Sequence, residues 1–164
     1  MFMPEQTAPA PLDAIDLRIL AQLQEDASLS NQDLAGRVHV SPATCLRRVK
    51  RLQEAGIIER QVAILSPMHL GHGLTAIVEI TLDRQGVEHL DAFEARATAD
   101  TAVQQCYRVS TGPDFVLIVQ VADMAAYNAF AQRLLSQDAN VRNVRSFFAT
   151  QRAKFSTQVV LPAI

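Results

Sequence analysis

The sequence predicts an α+β fold in two parts, and three observations carry that reading. Three helix starts near the N-terminus repeat one capping grammar, and the third opens a segment with four cations and no acid. Beyond a Pro/Gly-rich break, the apolar pattern changes to strands and helices in the order β-α-β-β-α-β. The first part then reads as a helix-turn-helix (winged-helix-like) unit. The second reads as a ferredoxin-like antiparallel sheet with both helices on one side.

In LDAIDLRILAQLQED, Asp13 is placed to cap, Asp16 complements the exposed amides of the first turn, and Leu12 with Leu17 form a hydrophobic staple. Ile19, Leu20 and Leu23 continue the apolar stripe of a first helix. The same design returns around Ser30, with Leu29 and Leu34 as the staple and Asp33 in the first turn, and again around Ser41. The second helix has room only from about Asn31 to Val38, so a short helix, a tight turn and a cationic helix follow one another. Gly56 closes the third helix, and IIERQVAIL reads as extended chain, a wing or a hinge strand.

The third helix, in SPATCLRRVKRL, starts with Ser41 as N-cap and Pro42 where a missing N–H costs nothing. At about 100° per residue, Thr44, Arg47, Arg48 and Arg51 share one stripe, with Cys45, Leu46, Val49 and Leu52 on roughly the opposite side. Arginine forks to phosphate or to guanine, and threonine can touch a base edge, so Ser41, Thr44, Arg47, Arg48 and Arg51 form the expected DNA-binding set. On this reading, Arg47→Ala or Arg48→Ala weakens operator binding.

Length and composition agree with two small domains: 164 residues, 49% of them hydrophobic. The near-neutral formal charge of -2 hides segregation. From Leu12 to Arg60 cations and acids balance at seven each; from Gln61 to Asn140 there are four against nine; from Val141 onward there are four cations and no acid. A nucleic acid meets the local charge rather than the total. No apolar run reaches membrane-spanning length and the start MFMPEQTAPAP lacks a signal-peptide pattern, so a cytoplasmic protein is expected. Cys45 and Cys106 are read as packed thiols rather than a disulfide, and His69 with His72 as surface or cap residues rather than metal ligands. Neither cofactor nor metal is expected.

Past LSPMHLGHG, Leu74, Ala76, Val78, Ile80 and Leu82 alternate along a strand, and Val87, Leu90, Phe93 and Ala97 recur at helical spacing. VQQCYRV and FVLIVQV read as strands, MAAYNAFAQRLL as a helix and VRNVRSFFAT as the last strand. Phe115 to Val121 is apolar on both faces, which implies that the sheet's second face is covered, either by another copy of the chain or by the last residues FSTQVVLPAI. The expected division is a disordered arm over 1–11, a helix-turn-helix DNA-binding domain over 12–60, a linker or hinge strand over 61–73, a βαββαβ effector-binding and oligomerisation domain over 74–152, and a tail over 153–164.

A helix-turn-helix followed by a βαββαβ domain resembles the Lrp/AsnC family. The resemblance rests on LDAIDLRIL and LSNQDLAGRVHVSPATCLRRVKRLQEAGII in the first unit, and on LSPMHLGHG, STGPDFVLIVQV and DMAAY in the second. It implies a sequence-specific transcriptional regulator that pairs as a homodimer, assembles further into a tetramer or octamer, and binds a small effector, commonly an amino acid, at an assembly interface. The resemblance carries the effector site onto the loop Ser110 to Asp114, with Thr111, Gly112 and Asp114 as effector-binding residues. The family pattern has two residues between this glycine and the aspartate, and this chain has only Pro113. Two other functions fit the same two-domain outline: an enzyme similar to siroheme decarboxylases, for which His69, His72 and His89 would be the titratable groups, and an architectural DNA-binding protein of low specificity.

Overall fold

A computed structural model describes residues 11–162, so the expected arm over 1–11 lies almost wholly outside the described residues. The chain forms two compact units, divided between Ile64 and Leu65, and from Lys154 onward it rejoins the first unit. The described part of the tail thus groups with the helical unit.

That unit contains α1 (Ala14–Glu25), α2 (Asn31–Val38) and α3 (Pro42–Glu54). Each start is capped as the sequence predicts. Asp13 accepts the N–H groups of Ile15 and Asp16, both at 2.9 Å, while the Asp16 carboxylate returns to the Asp13 N–H at 3.1 Å, completing a capping box. Ser30 accepts from the Asp33 N–H at 3.1 Å and Ser41 from the Thr44 N–H at 3.2 Å. The turn between α2 and α3 is tight because His39 takes the left-handed conformation, φ 59°, and lets the Val40 N–H reach back to the Ala35 carbonyl at 3.0 Å. Ile19, Val38 and Cys45 are fully buried at the centre of the three-helix core, with Leu34, Ala35 and Leu52 around them.

After α3, Gly56 adopts φ 69° and the chain runs on without a sheet partner. The strand or wing expected over Ile57–Leu65 does not form among the described residues: Ile57 and Ile58 pack against the helical core, whereas Val62 and Ile64 stay exposed.

The second unit holds β1 (Leu74–Leu82), α4 (Val87–Ala99), β2 (Val103–Arg108), β3 (Phe115–Val121), α5 (Met124–Ala131) and β4 (Val141–Phe148). The antiparallel sheet has the order β2-β3-β1-β4. This is the order that two interleaved βαβ halves produce. Ala76, Val78, Ile80 and Leu82 point inward from β1, and Phe115, Leu117, Val119 and Val121 from β3. They meet Phe93 and Ala97 of α4 and Tyr127 and Phe130 of α5 in one core, so both helices cover one face. A π-helical turn, Gln132–Ser136, prolongs α5 far enough to bury Leu134 and Leu135. Val87, expected on the apolar stripe of α4, is exposed, because the stripe turns inward only from Leu90.

The opposite face of the sheet carries an exposed apolar patch beside the Glu79–Arg145 ion pair. Ile77 of β1 lies beside Phe147 of β4, and Val116 of β3 beside Tyr107 of β2. Ile77, Tyr107 and Phe147 are 39%, 52% and 44% exposed. Val159 of the tail is hydrogen-bonded to Gln24 of α1, so the described part of the tail groups with the helical unit rather than with the sheet, which corrects the second of the two expected coverings.

Candidate functional site

The third helix is turned differently from the reading of its sequence. Cys45 and Leu52 are buried, Val49 is half-buried, and the outward stripe consists of Ala43, Leu46, Arg47 and Lys50. Leu46, expected to pack, is 60% exposed. Relative to the predicted stripe, the outward face is rotated by roughly one residue step, about 100°.

The cause is a charge cluster with α1. The Arg48 side chain is only 19% exposed, and its Nη1 lies 2.7 Å from Asp13 Oδ2 and 2.9 Å from Asp16 Oδ1. Arg51 donates from Nη2 to Asp16 Oδ2. Asp16 has no solvent exposure. Two residues expected to face DNA thus turn toward α1 because a buried carboxylate must be paired. The Arg48 Nε is itself buried without a hydrogen-bond partner, so that guanidinium is committed through one edge only. Arg51 is half exposed and keeps part of its guanidinium in solvent.

Ser41 and Thr44 sit at the N-terminal end of α3, where the Ser41 hydroxyl donates to Thr44 Oγ1 at 2.9 Å. Asn31 of α2 donates to the Pro42 carbonyl at 2.9 Å, which fixes the first turn of α3 against α2. Arg47 is exposed, and Lys50, 74% exposed at its side chain, pairs with Glu54 of its own helix at 3.7 Å. Sequence reasoning missed Ala43 and Lys50 as outward positions and Asp13 and Asp16 as positioning residues. A signal existed, since the two acids and the two arginines share a spacing of three, which lets one helical edge match another.

Electrostatics follow the geometry. The Asp13 carboxyl is lowered to about 2, first by the Asp16 N–H and then by Arg48. Burial by itself would raise Asp16, but the hydrogen bonds from Arg51, the Asp13 N–H and Arg48 outweigh it and hold it below the usual carboxylate value. Burial pushes the Cys45 thiol up, which makes it a packed and unreactive group.

In the second unit, Thr111 and Gly112 are exposed at the β2–β3 connection, and Gly112 takes φ 89°. Asp114 is partly committed to the fold. Its Oδ2 accepts from the Leu82 N–H at 2.7 Å and from Gln85 Nε2 at 3.2 Å, and its own N–H donates to the Ile80 carbonyl at 2.8 Å. The loop is therefore anchored to the end of β1 by the residue expected to hold an effector's amino group. His69 and His72 are exposed, His89 is half-buried, and the described residues contain no cluster of three or more potential metal ligands.

Asp16→Asn is expected to cost about 3–5 kcal/mol, because it leaves Arg48 and Arg51 facing a buried neutral group. Both aspartates titrate lower in the folded state, so the unfolded state binds more protons as pH falls. Their contribution is complete above the unfolded carboxylate value of about 4 and is lost as pH falls toward 2. Urea unfolding followed by circular dichroism across that range checks it: the wild type loses stability steeply, and Asp16→Asn has a shallower slope.

Comparison with known proteins covers both units. Residues 12–59 match a family model described as winged helix-turn-helix DNA-binding, and residues 75–159 match the Lrp/AsnC ligand binding domain. A leucine-responsive regulatory protein of Haemophilus influenzae is 39% identical over 92% of this chain and 90% of its own length. Among solved structures, an AsnC family transcriptional regulator from Agrobacterium tumefaciens is 36% identical, with a TM-score of 0.86, over 91% of this chain and 97% of that one. A transcriptional regulator from Neisseria meningitidis, solved as a complex with L-Met, is 32% identical with a TM-score of 0.86 over 92% and 97%. These relatives are transcriptional regulators, which favours that reading over the decarboxylase. With both units matched in order along the sequence, this chain belongs to the Lrp/AsnC family of DNA-binding transcriptional regulators.

Proposed function

We propose that this regulator reads DNA with the outward stripe of α3 and answers to an amino acid bound at the Thr111 to Asp114 loop of a homo-oligomer, and that it has no catalytic activity. The observation that carries the DNA part is the partition of the cations. Arg48 and Arg51 pair with α1, while Arg47 and Lys50 remain on the exposed face beside Ala43 and Leu46. Arginine and lysine suit phosphate or guanine, and the alanine and leucine side chains suit the thymine methyl group. Ser41 and Thr44 stand at the helix N-terminus, where backbone N–H groups favour a phosphate.

Arg47→Ala and Lys50→Ala should each weaken operator binding and, where the lost contact is to phosphate, lower the salt slope by about one unit. Arg48→Ala should act mainly on stability. Anisotropy titrations at several salt concentrations, beside melting curves, separate the two. An Arg47→Ala variant with wild-type affinity and slope would remove this stripe from the interface.

The effector reading is supported by the exposed Thr111 and Gly112 main chain, the Asp114 carboxylate beside it, and the methionine complex of the Neisseria meningitidis relative. Backbone N–H groups at a glycine turn hold a carboxylate and an acid holds an amino group. An amino acid present at a hundred times its dissociation constant should stabilise the folded chain by about 2.7 kcal/mol. A melting panel of single amino acids should therefore show a shift for one or a few side-chain classes. A panel with no shift would leave the loop without an effector of this kind.

The exposed apolar patch on this face of the sheet supports assembly, because Phe147 and Ile77 continue through Ile118 and Val116 of β3 to Tyr107, a surface that a second copy would bury. Replacing Ile77 and Phe147 together by aspartate should shift the sedimentation of the protein toward the monomer while its circular dichroism stays that of a folded chain. An unchanged sedimentation coefficient would place the interface elsewhere.

A further inference from the structure

Leu46 is the large side chain of α3 that neither the core nor the ion pairs account for. It follows the buried Cys45, precedes the exposed Arg47, and is itself 60% exposed. The helix cannot turn it inward, because Cys45 and Leu52 fill the core side while Arg48 and Arg51 are tied to Asp16. The first turn is held as well, by the Asn31 side chain on the Pro42 carbonyl at 2.9 Å. Leu46 is therefore kept on the outward face by the rest of the helix.

A single exposed leucine is ordinary on a protein surface, so its setting decides what it can do. At helical spacing Leu46 shares a stripe with Ala43, Arg47 and Lys50, and the first turn of α3 contains no acid. Glu54, which pairs with Lys50, lies at the far end of the helix. Across a two-fold axis with a second copy of the chain, Arg47 and Lys50 would meet their own equivalents, so charge opposes that occupant. Duplex DNA suits both parts of the stripe: its phosphates take the cations, and the thymine methyl group supplies an apolar contact in the major groove.

We propose that Leu46 is the residue through which α3 selects thymine, packing on the C5 methyl group of one thymine in each half-site, so that sequence preference and overall affinity reside in different side chains. This role rests on the outward stripe being the face that contacts DNA. Selection runs in two directions. A thymine methyl gains apolar contact, whereas a cytosine or adenine in its place sets an amino group against leucine, where it loses water and gains no acceptor. Lys50 attracts phosphates of any sequence, while Leu46 neutralises none and releases no counterion.

The test selects operators from random-sequence duplexes with the full chain, then replaces each thymine of a selected operator by uracil, which removes only the C5 methyl group. In anisotropy titrations one such position in each half-site should weaken wild-type binding about fourfold, the worth of one buried methyl group. The same replacement should leave Leu46→Ala unaffected, and that variant should bind random-sequence DNA with wild-type affinity and salt slope. Its circular dichroism and melting curve should stay those of the wild type, because Leu46 is exposed. Leu46→Gln, close in size, repeats the comparison should Leu46→Ala melt early. The proposal is overturned if no uracil weakens the wild type, if every uracil penalty persists without Leu46, or if selection enriches no sequence. Failure of the outward stripe as the DNA face gives a different result: Arg47→Ala and Leu46→Ala then both bind the selected operator as the wild type does.

Discussion

The helical unit depends on how the Asp16 carboxylate is satisfied. It is the one polar or charged residue with no solvent exposure among the described residues, and a buried carboxylate that lacks cations and donors is either neutralised or unfolds its surroundings. Here Arg48, Arg51 and the Asp13 N–H supply the partners, all from fixed positions on helices. Such a pair adds little net stability compared with apolar packing, but its geometry is demanding. The buried Cys45 and Leu52 and the two arginines meeting one carboxylate together fix the rotation of α3 about its axis.

That constraint settles which cations are left for a ligand. Turning Arg48 and Arg51 toward α1 brings Ala43, Leu46, Arg47 and Lys50 outward, so the exposed face is less charged than the sequence suggests and mixes two long cations with two apolar side chains. A purely cationic face would favour phosphates of any sequence. A mixed face can also discriminate at base edges, where an apolar contact with the thymine methyl group carries information.

Much of the fold was legible because it is written in local chemistry. Caps at Asp13, Ser30 and Ser41, the break at LSPMHLGHG and the alternation along Leu74–Leu82 each depend on residues close in sequence, and each formed as read. What was not legible depends on distant partners. A helical wheel places Arg48 with the polar residues because it cannot see Asp13 and Asp16 thirty-odd residues earlier, and it places Leu46 with the core for want of knowing how much of the helix is covered. The stretch after Gly56 has strand-like composition but pairs with no strand among the described residues of the chain. The tail was apolar enough to cover something, yet only the amide of Gln24 shows which surface receives it.

Asp114 shows the same limit at the β2–β3 loop proposed to hold an effector. Its Oδ2 already accepts the Leu82 N–H, so an amino group that drew this carboxylate away would leave a main-chain donor at the end of β1 without its partner. The cost of an unpaired donor, about 1–3 kcal/mol where it is buried, is of the same size as ordinary allosteric coupling. A ligand that engages the carboxylate while leaving this bond intact binds without disturbing the strand. A ligand that breaks it transfers its binding energy into β1, one of the two inner strands, which pairs with both β3 and β4.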